Sequence, residues 1–350
     1  MRIYNNKVAV VTDLHIGIHQ DSPMWHDVCL NFAEWFKVQL NKRGINDIII
    51  CGDINNDRNE ISLNSLNVLT RVFTIWKEFN IIVIVGNHDS YYRDKPDINS
   101  LSVLSGWSNI TIIDKIQSIN AFNKNLTFCP WGVNMDDIAK SDILFGHFEI
   151  MGFSMSKNKV CDSGFVYNNI LEKAPLVMSG HFHMREVRKY DENKQIVYVG
   201  SPYEQNWGDY GSDDRGFYIL DINDSTFEFI KNEVSPKHKK IRFSELYAAG
   251  GMTEDIKKEF KNNYVNIIID QDFKTDVIEK LIPILNTYGP KLLKVDYLLE
   301  NRFNTTTGID FENIDIPVII EEFVKTLEKE DEYKDDILKT TLEIYEECTK

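Results

Sequence analysis

The chain has 350 residues, 43% hydrophobic and 27% charged, the composition of a soluble globular protein with a large core and room for one or two smaller attachments. Its five cysteines, at positions 29, 51, 129, 161 and 348, are odd in number and widely spaced with no Cys-x-x-Cys pair, which excludes a disulfide framework and a thiolate zinc site and fits a reducing cytoplasm. The net charge of −15 is mostly local: residues 306–350 carry fourteen Asp and Glu against five Lys, so the tail is unsuited to nucleic acid.

From the N-terminus, no apolar run approaches a membrane span and no signal-peptide core forms before Asp13, so the protein is expected to stay in the cytoplasm. A strand over residues 8–11 runs into Asp13-Leu14-His15, and Ser22-Pro23 then starts a helix that continues to Leu40. A strand at 48–50 ends on Gly52-Asp53, a helix follows over about 61–79, and a strand at 81–85 ends on Gly86-Asn87-His88-Asp89. Strands at 143–145 and 176–178, separated by a polar loop, end on Gly146-His147 and Gly180-His181-Phe182-His183. The first half alternates strands and helices, which predicts βαβ units and a largely parallel sheet; strands at 187–190, 196–199, 217–220 and 227–230 read as the antiparallel closing half of a two-layered sandwich. A helix near Phe243, a strand at 265–269, a helix at 277–285 and a strand at 292–297 form a small α/β unit. The fold class is therefore α/β, an α+β sandwich of two sheet layers flanked by helices. Domains are expected at 1–238 and 239–299, with a polar linker at 300–308 and a helical tail at 309–350. The tail carries apolar stripes Val318, Ile319, Phe323, Val324 and Leu327, then Ile337, Leu338, Leu342 and Tyr345, either folded back on the chain or docked on a partner.

Five motifs therefore place metal-grade ligands after strands, at one carboxyl sheet edge, where open α/β sheets build their sites. Residues i and i+2 of a strand face the same side, so Asp13 with His15, and His181 with His183, can each aim two side chains at one spot. Asp53 is the natural bridge between two cations. Mixed imidazole, carboxylate and amide ligands suit Mn²⁺, Fe or Zn²⁺, and two such ions roughly 3.5–4 Å apart acidify a water and clamp a phosphoryl group, which is phosphoester hydrolysis. His19 reads as a surface or supporting residue and His26 as structural. Asp209, Asp213 and Asp214 read as solvated turn residues. Lys237, Lys239, Lys240 and Arg242 are either a phosphate-facing cluster or a solvated linker. Tyr91, Tyr92, Tyr203, Trp207 and Tyr210 either stack on bases or pack among themselves.

The order D-x-H, G-D, G-N-H-D, G-H and G-H-x-H resembles the calcineurin-like metallophosphoesterases over about the first 220 residues. That resemblance implies that Asp13, His15, Asp53 and His183 hold one metal and Asp53, Asn87, His147 and His181 the other, with Asp89 in support. His88 would be catalytic, stabilising the transition state or protonating the leaving oxygen. The ions would be two divalent cations, Mn²⁺ first and Mg²⁺ as the alternative. Gly200-Ser201-Pro202-Tyr203, the α/β unit and the C-terminal helices further resemble the SbcD-type nucleases of double-strand-break repair, phage recombination endonuclease subunits among them. This implies a duplex exonuclease and single-strand endonuclease, with residues 1–238 as the nuclease domain and 239–299 as a DNA-binding cap. The implied partners are DNA, an SbcC-like coiled-coil ABC-type ATPase bound through the C-terminal helices, and a second copy of the chain. A phage-encoded chain would act in the host cytoplasm. Asn56 stands where such nucleases commonly carry a histidine, which bears on the balance of the two cleavage modes. A phosphomonoesterase or protein phosphatase, and a non-catalytic scaffold, are the other classes.

Overall fold

The computed structural model describes residues 1–212, 214–249, 251–271, 275–298, 324 and 331–349. Two compact units divide the chain, Met1–Leu298 and Leu299–Lys350. Along the first unit run β1 (Lys7–Val11), α1 (Ile18–Asp21), α2 (Pro23–Arg43), β2 (Asp47–Ile50), α3 (Leu63–Ile75), β3 (Asn80–Ile84), β4 (Ile110–Ile113), β5 (Gln117–Ala121), β6 (Lys124–Cys129) and β7 (Ile143–His147). There follow β8 (Ser154–Ser156), β9 (Lys159–Val160), α4 (Tyr167–Lys173), β10 (Leu176–Gly180), β11 (Glu186–Lys189), β12 (Gln195–Tyr198), β13 (Gly216–Asp221) and β14 (Thr226–Lys231). β15 (His238–Arg242), α5 (Phe243–Ala248), α6 (Glu254–Phe260), β16 (Tyr264–Ile269), α7 (Thr275–Asn286) and β17 (Leu292–Tyr297) complete it.

Two six-stranded sheets carry the core, in the orders β14-β13-β1-β2-β3-β4 and β11-β12-β10-β7-β6-β5. Alternate residues of each central strand face opposite layers. Ala9, Val11, Ile48, Ile50, Ile81 and Val83 pack under α2 and α3, whereas Val8, Val10, Ile49 and Ile82 meet Phe128, Phe145 and Met178 of the other sheet. Leu144, Val177 and Ile196 face outward against Ile170 and Leu171 of α4. Burial on both faces is why these strands read as unbroken apolar runs.

Of the four strands expected to close the sandwich antiparallel, β11 pairs with β12 and β13 with β14 in that sense, but the two pairs lie in different sheets. The motif strands β7 and β10 lie in the second sheet rather than sharing one sheet edge with β1, β2 and β3. β6, β7, β10 and β12 are mutually parallel, only the edge strands β5 and β11 run antiparallel, and β13 and β14 return to the first sheet beside β1. Apolar runs state that a strand is buried, not which way its neighbour points.

β15, β16 and β17 form a third, wholly parallel sheet around Phe260, Val265, Ile267 and Ile278. β15 and α6 are absent from the sequence reading, because Lys239, Lys240 and Arg242 hide the strand pattern. The basic cluster is therefore a strand rather than a linker, and it is largely neutralised: Lys239 pairs with Glu259, Arg242 with Asp270 at 3.7 Å, and Lys237 with Asp214 at 3.5 Å.

In the second unit a helix spans Asp331–Thr349, and Val324 is a buried helical residue. The expected linker at 300–308 and the stripe residues Val318, Ile319, Phe323 and Leu327 lie outside the described residues, as do Asp213 and the side chain of Tyr345. No described helix is long and apolar enough to cross a membrane.

Candidate metal centre

The five motifs leave the carboxyl ends of β1, β2, β3, β7 and β10. The loops after β1 and β2 are zipped together: Asp13 N donates to Gly52 O at 3.0 Å, His15 N to Asp53 O at 3.1 Å and Ile16 N to Ile54 O at 2.8 Å. Asp13, His15, Asp53 and His181 all sit at positive φ, between 48° and 89°, a region L-residues adopt only when surrounding structure over-determines it. Asp13 and His15 therefore converge through left-handed turns beyond the end of β1, not through strand alternation. Gly52 has φ 101°, and a Cβ there would strike the ring of His147; one on Gly86 would strike the carboxylate of Asp53. The motif glycines are needed because the ligands crowd their backbone.

Three overlapping clusters result: Asp13, His15 and His183; His15, Asp53 and His88; and Asp53, His147 and His181. Asp13 Oδ1 lies 3.8 Å from His15 Nε2 and 3.9 Å from His183 Nε2, while the two Nε2 atoms are 3.0 Å apart. Asp53 Oδ2 lies between His15 Nε2 at 3.7 Å and His147 Nε2 at 3.2 Å. Asn87 Oδ1 meets His147 Nε2 at 2.8 Å and His181 Nδ1 at 2.9 Å. The seven residues expected as ligands thus converge, with Asp53 shared between two of the clusters. The pairing expected for His181 and His183 does not hold, since His181 joins Asn87 and His147 while His183 joins Asp13 and His15.

Asp13 and Asp53 are buried carboxylates whose ion-pair partners among the described residues are histidines. Burial raises both, but the hydrogen bond to His15 and the charges of His147 and His183 hold Asp13 below its usual range, and His147 and His15 do the same for Asp53. Burial lowers every imidazole, yet Asp53 and Asp13 push His147 up to about 9, and Asp13 and Asp53 raise His15. Burial and the charge of His147 hold His181 at about 4; burial and His15 hold His183 at about 4. The Nε2 atoms of His15 and His183 lie 3.0 Å apart, a separation that two lone pairs tolerate only with a proton or a cation between them. A donor set of imidazole, carboxylate and amide oxygen with this demand fits divalent cations, whose binding displaces the protons.

The supporting residues fall into place around this cluster. His147 Nδ1 donates to Cys51 O at 2.7 Å, which leaves Nε2 as the lone-pair nitrogen when that ring is neutral. Asp89 is buried and accepts from Gly86 N, Ile54 N and Asn55 N, each at 3.0 Å, clamping the β2 and β3 loops together; burial and the charge of Asp53 raise its carboxyl to about 6. His88 N donates to Asp53 Oδ1 at 2.8 Å, and its ring Nδ1 donates to the carbonyl of Asn56 at 2.6 Å. Burial, with the charges of His15 and His147, lowers the His88 pKa and favours the neutral imidazole. The Asn56 side chain turns instead to Asp57 Oδ1 at 3.2 Å.

The structure adds Gln205, Trp131 and Arg215, which the sequence reading missed, and gives Tyr203 and Asp209 other surroundings than it expected. Gln205 Nε2 donates to Asp13 O at 2.7 Å, Tyr203 Oη to Leu14 O at 2.5 Å, and Trp131 lies against His181 with ring centroids 4.9 Å apart. Asp209 is no solvated turn residue: it is buried, caps a short turn through Gln205 N at 2.7 Å, and pairs with Arg215 at 2.7 Å, while Arg215 also donates to His183 O. Tertiary contact marks these: Tyr203, Gln205, Asp209 and Arg215 come from the segment between β12 and β13, and Trp131 from the loop after β6. Tyr203 is core rather than a stacking surface; Tyr91 and Tyr92 are exposed. His19 is exposed and stacked on Trp25 at 4.5 Å, and His26 is buried 3.0 Å from Asp21.

Residues 7–225 match the family described as calcineurin-like phosphoesterase superfamily domain. No curated protein matches the sequence. Among solved structures, a dimetal phosphatase from Danio rerio aligns at 10% identity and TM-score 0.42, covering 62% of this chain and 92% of that one. A purple acid phosphatase from yellow lupin (Lupinus luteus) seeds aligns at 12% identity and TM-score 0.46, covering 66% of this chain and 52% of that one.

Proposed function

The chain belongs to the calcineurin-like phosphoesterase superfamily, and we propose that within it the protein is a metal-dependent DNA nuclease subunit of the SbcD-type. The observation that carries phosphoester hydrolysis is the shared position of Asp53 between two histidine clusters. Asp13, His15, Asp53 and His183 would hold one cation, and Asp53, Asn87, His147 and His181 the other. When bound, two divalent cations supply Lewis acidity toward a phosphoryl oxygen and toward water. His88, its Nδ1–H fixed by the Asn56 carbonyl, would turn Nε2 to the reacting group as a lone pair; once that nitrogen has taken a proton, from the attacking water or from solvent, the imidazolium would stabilise developing charge or hand the proton to the leaving oxygen. Cys51 O and Asp89 keep the donors in place.

Support for a nuclease over a stand-alone phosphatase lies after the motifs. The resemblance carried by Gly200-Ser201-Pro202-Tyr203 falls on a loop built into the centre, since Ser201 N donates to His183 O at 3.1 Å and Tyr203 Oη to Leu14 O. In this reading the β15–β17 unit acts as the cap over DNA, residues 309–350 dock on an SbcC-like coiled-coil ATPase, and two copies associate through the first domain. The test is incubation of purified protein with end-labelled duplex DNA and with mono- and diester chromogenic substrates, with Mn²⁺ or Mg²⁺, plus and minus the ATPase. Mn²⁺-dependent DNA cleavage with preference for the diester is expected. Monoester turnover without DNA cleavage would make the protein a phosphatase.

A further inference from the structure

Beside the metal centre lies an open groove of about 520 Å³ lined by Arg58, Asn59, Tyr91, Arg93 and Trp131, within the roughly 300–1,000 Å³ of small-ligand sites. Its walls are continuations of the two loops that build the centre: the loop after β2 carries Asp53 and then Arg58, and the loop after β3 carries Asn87, His88, Tyr91 and then Arg93. Trp131 closes the side nearest the centre. Its ring lies against both His181 and His147, with centroids 4.9 Å and 6.0 Å apart, and its Nε1 donates to Arg93 O at 2.6 Å.

Two properties set this groove apart. In a chain of net charge −15, it presents two guanidinium groups that have no carboxylate partner and no side-chain hydrogen bond among the described residues. The neighbouring acids Asp57 and Glu60 line a different pocket, with Asp21 and Ser62. Tyr91 is 49% exposed and forms an edge-to-face pair with the equally open Tyr92 at 5.0 Å, so two large aromatic surfaces meet solvent beside those arginines. Free guanidinium groups with exposed aromatic faces match alternating phosphates and bases whose π-faces are accessible, which in a paired duplex they are not.

We propose that this groove binds an unpaired stretch of nucleic-acid strand adjoining the scissile phosphate, with Arg58 and Arg93 on its phosphates and Tyr91 and Trp131 along its bases. The inference rests on reading the metal centre as a DNA phosphodiesterase, and it adds that the strand enters unpaired. A blunt duplex must fray before its end can use the groove, whereas a single strand enters directly.

The test is fluorescence anisotropy of the full chain with labelled oligothymidylate and with a blunt hairpin duplex, in EDTA so that no cleavage intrudes, over a salt series. Tighter binding to oligothymidylate than to the duplex is expected. Arg58→Ala with Arg93→Ala should weaken strand binding at least tenfold and flatten the dependence of log K on log salt by about 0.7 per arginine. Tyr91→Ala should weaken it by roughly fivefold or more without changing that slope. A control lacking Lys42 and Lys77, both replaced by Ala at the opposite, amino end of the strands, should bind as wild type does. Unchanged affinity of the groove variants, an equal loss in the control, or equal wild-type binding of strand and duplex overturns the proposal. So does a wild-type chain that fails to bind the strand yet hydrolyses bis-p-nitrophenyl phosphate with Mn²⁺; failure of that hydrolysis alone strikes at the metal-centre reading.

Discussion

Asp53 stands between two groups of imidazoles, so its removal acts on both at once. Asp53→Ala should abolish Mn²⁺-dependent diester hydrolysis, lower the metal content measured by elemental analysis, and remove the thermal stabilisation Mn²⁺ gives the wild type. That stabilisation amounts to about 2.7 kcal/mol at a hundred times Kd. Two metals retained with normal turnover would end the bridging assignment. His88 differs because one ring nitrogen is already committed to the Asn56 carbonyl. His88→Ala should keep both metals and lose rate by roughly 10²–10⁴-fold; loss of metal would make it a ligand instead. The Asn56 side chain faces Asp57, and its carbonyl survives substitution. Asn56→Ala should therefore hydrolyse a small diester close to the wild-type rate, and a deficit as deep as that of His88→Ala would show that the amide itself acts.

Among the elements, the turn α1 is the strained one. His19, Gln20 and Asp21 have φ of 56°, 56° and 63°, a left-handed run that costs roughly 1–2 kcal/mol per residue. Asp21 ties it to the neighbouring helices, accepting from the hydroxyls of Ser62 and Ser65 at the start of α3 and facing His26 Nε2 of α2 at 3.0 Å. Burial raises the Asp21 carboxyl, but the Ser62 and Ser65 hydrogen bonds and His26 bring it below the usual value. A folded-state pKa below the unfolded one, near 3.9, contributes stability that is present above that pH and is lost as the pH falls through the folded value. Asp21→Asn should therefore shallow the acid limb of the stability curve below about pH 4, measured by urea unfolding. An identical limb in both proteins would show that these contacts do not hold the turn.

For the whole molecule, the charge divides the labour. Residues 306–350 carry most of the net −15, while the groove beside the centre keeps Arg58 and Arg93 without a carboxylate partner among the described residues. A tail so acidic with apolar stripes suits a basic or apolar protein surface better than DNA. If the proposed ATPase docks there, truncation after Gly308 should abolish co-elution with it in size-exclusion chromatography while leaving Mn²⁺ binding and Mn²⁺-dependent phosphodiester hydrolysis. Phe323→Glu with Leu327→Glu should do the same, since a charge buried in such a contact costs several kcal/mol when unpaired. Co-elution of the truncated chain would leave the tail as an internal brace.

Sequence by itself determined that β1, β2, β3, β7 and β10 are buried strands and that each runs into a candidate metal ligand, because burial on both faces writes an unbroken apolar run and, after β2, β3, β7 and β10, a crowded site writes a glycine before its donor. Only the tertiary structure decided that β7 and β10 join β6 and β12 in a second sheet instead of the sheet of β1, β2 and β3, as pairing belongs to two strands and not to one. Likewise β15 was hidden under Lys239, Lys240 and Arg242, whose charges are met by Glu259, Asp270 and the Tyr210 ring, partners that folding alone brings near. The support given by Gln205, Tyr203 and Arg215 was decided by long-range contacts. No local pattern encodes them, because each depends on a backbone atom supplied from a distant part of the chain.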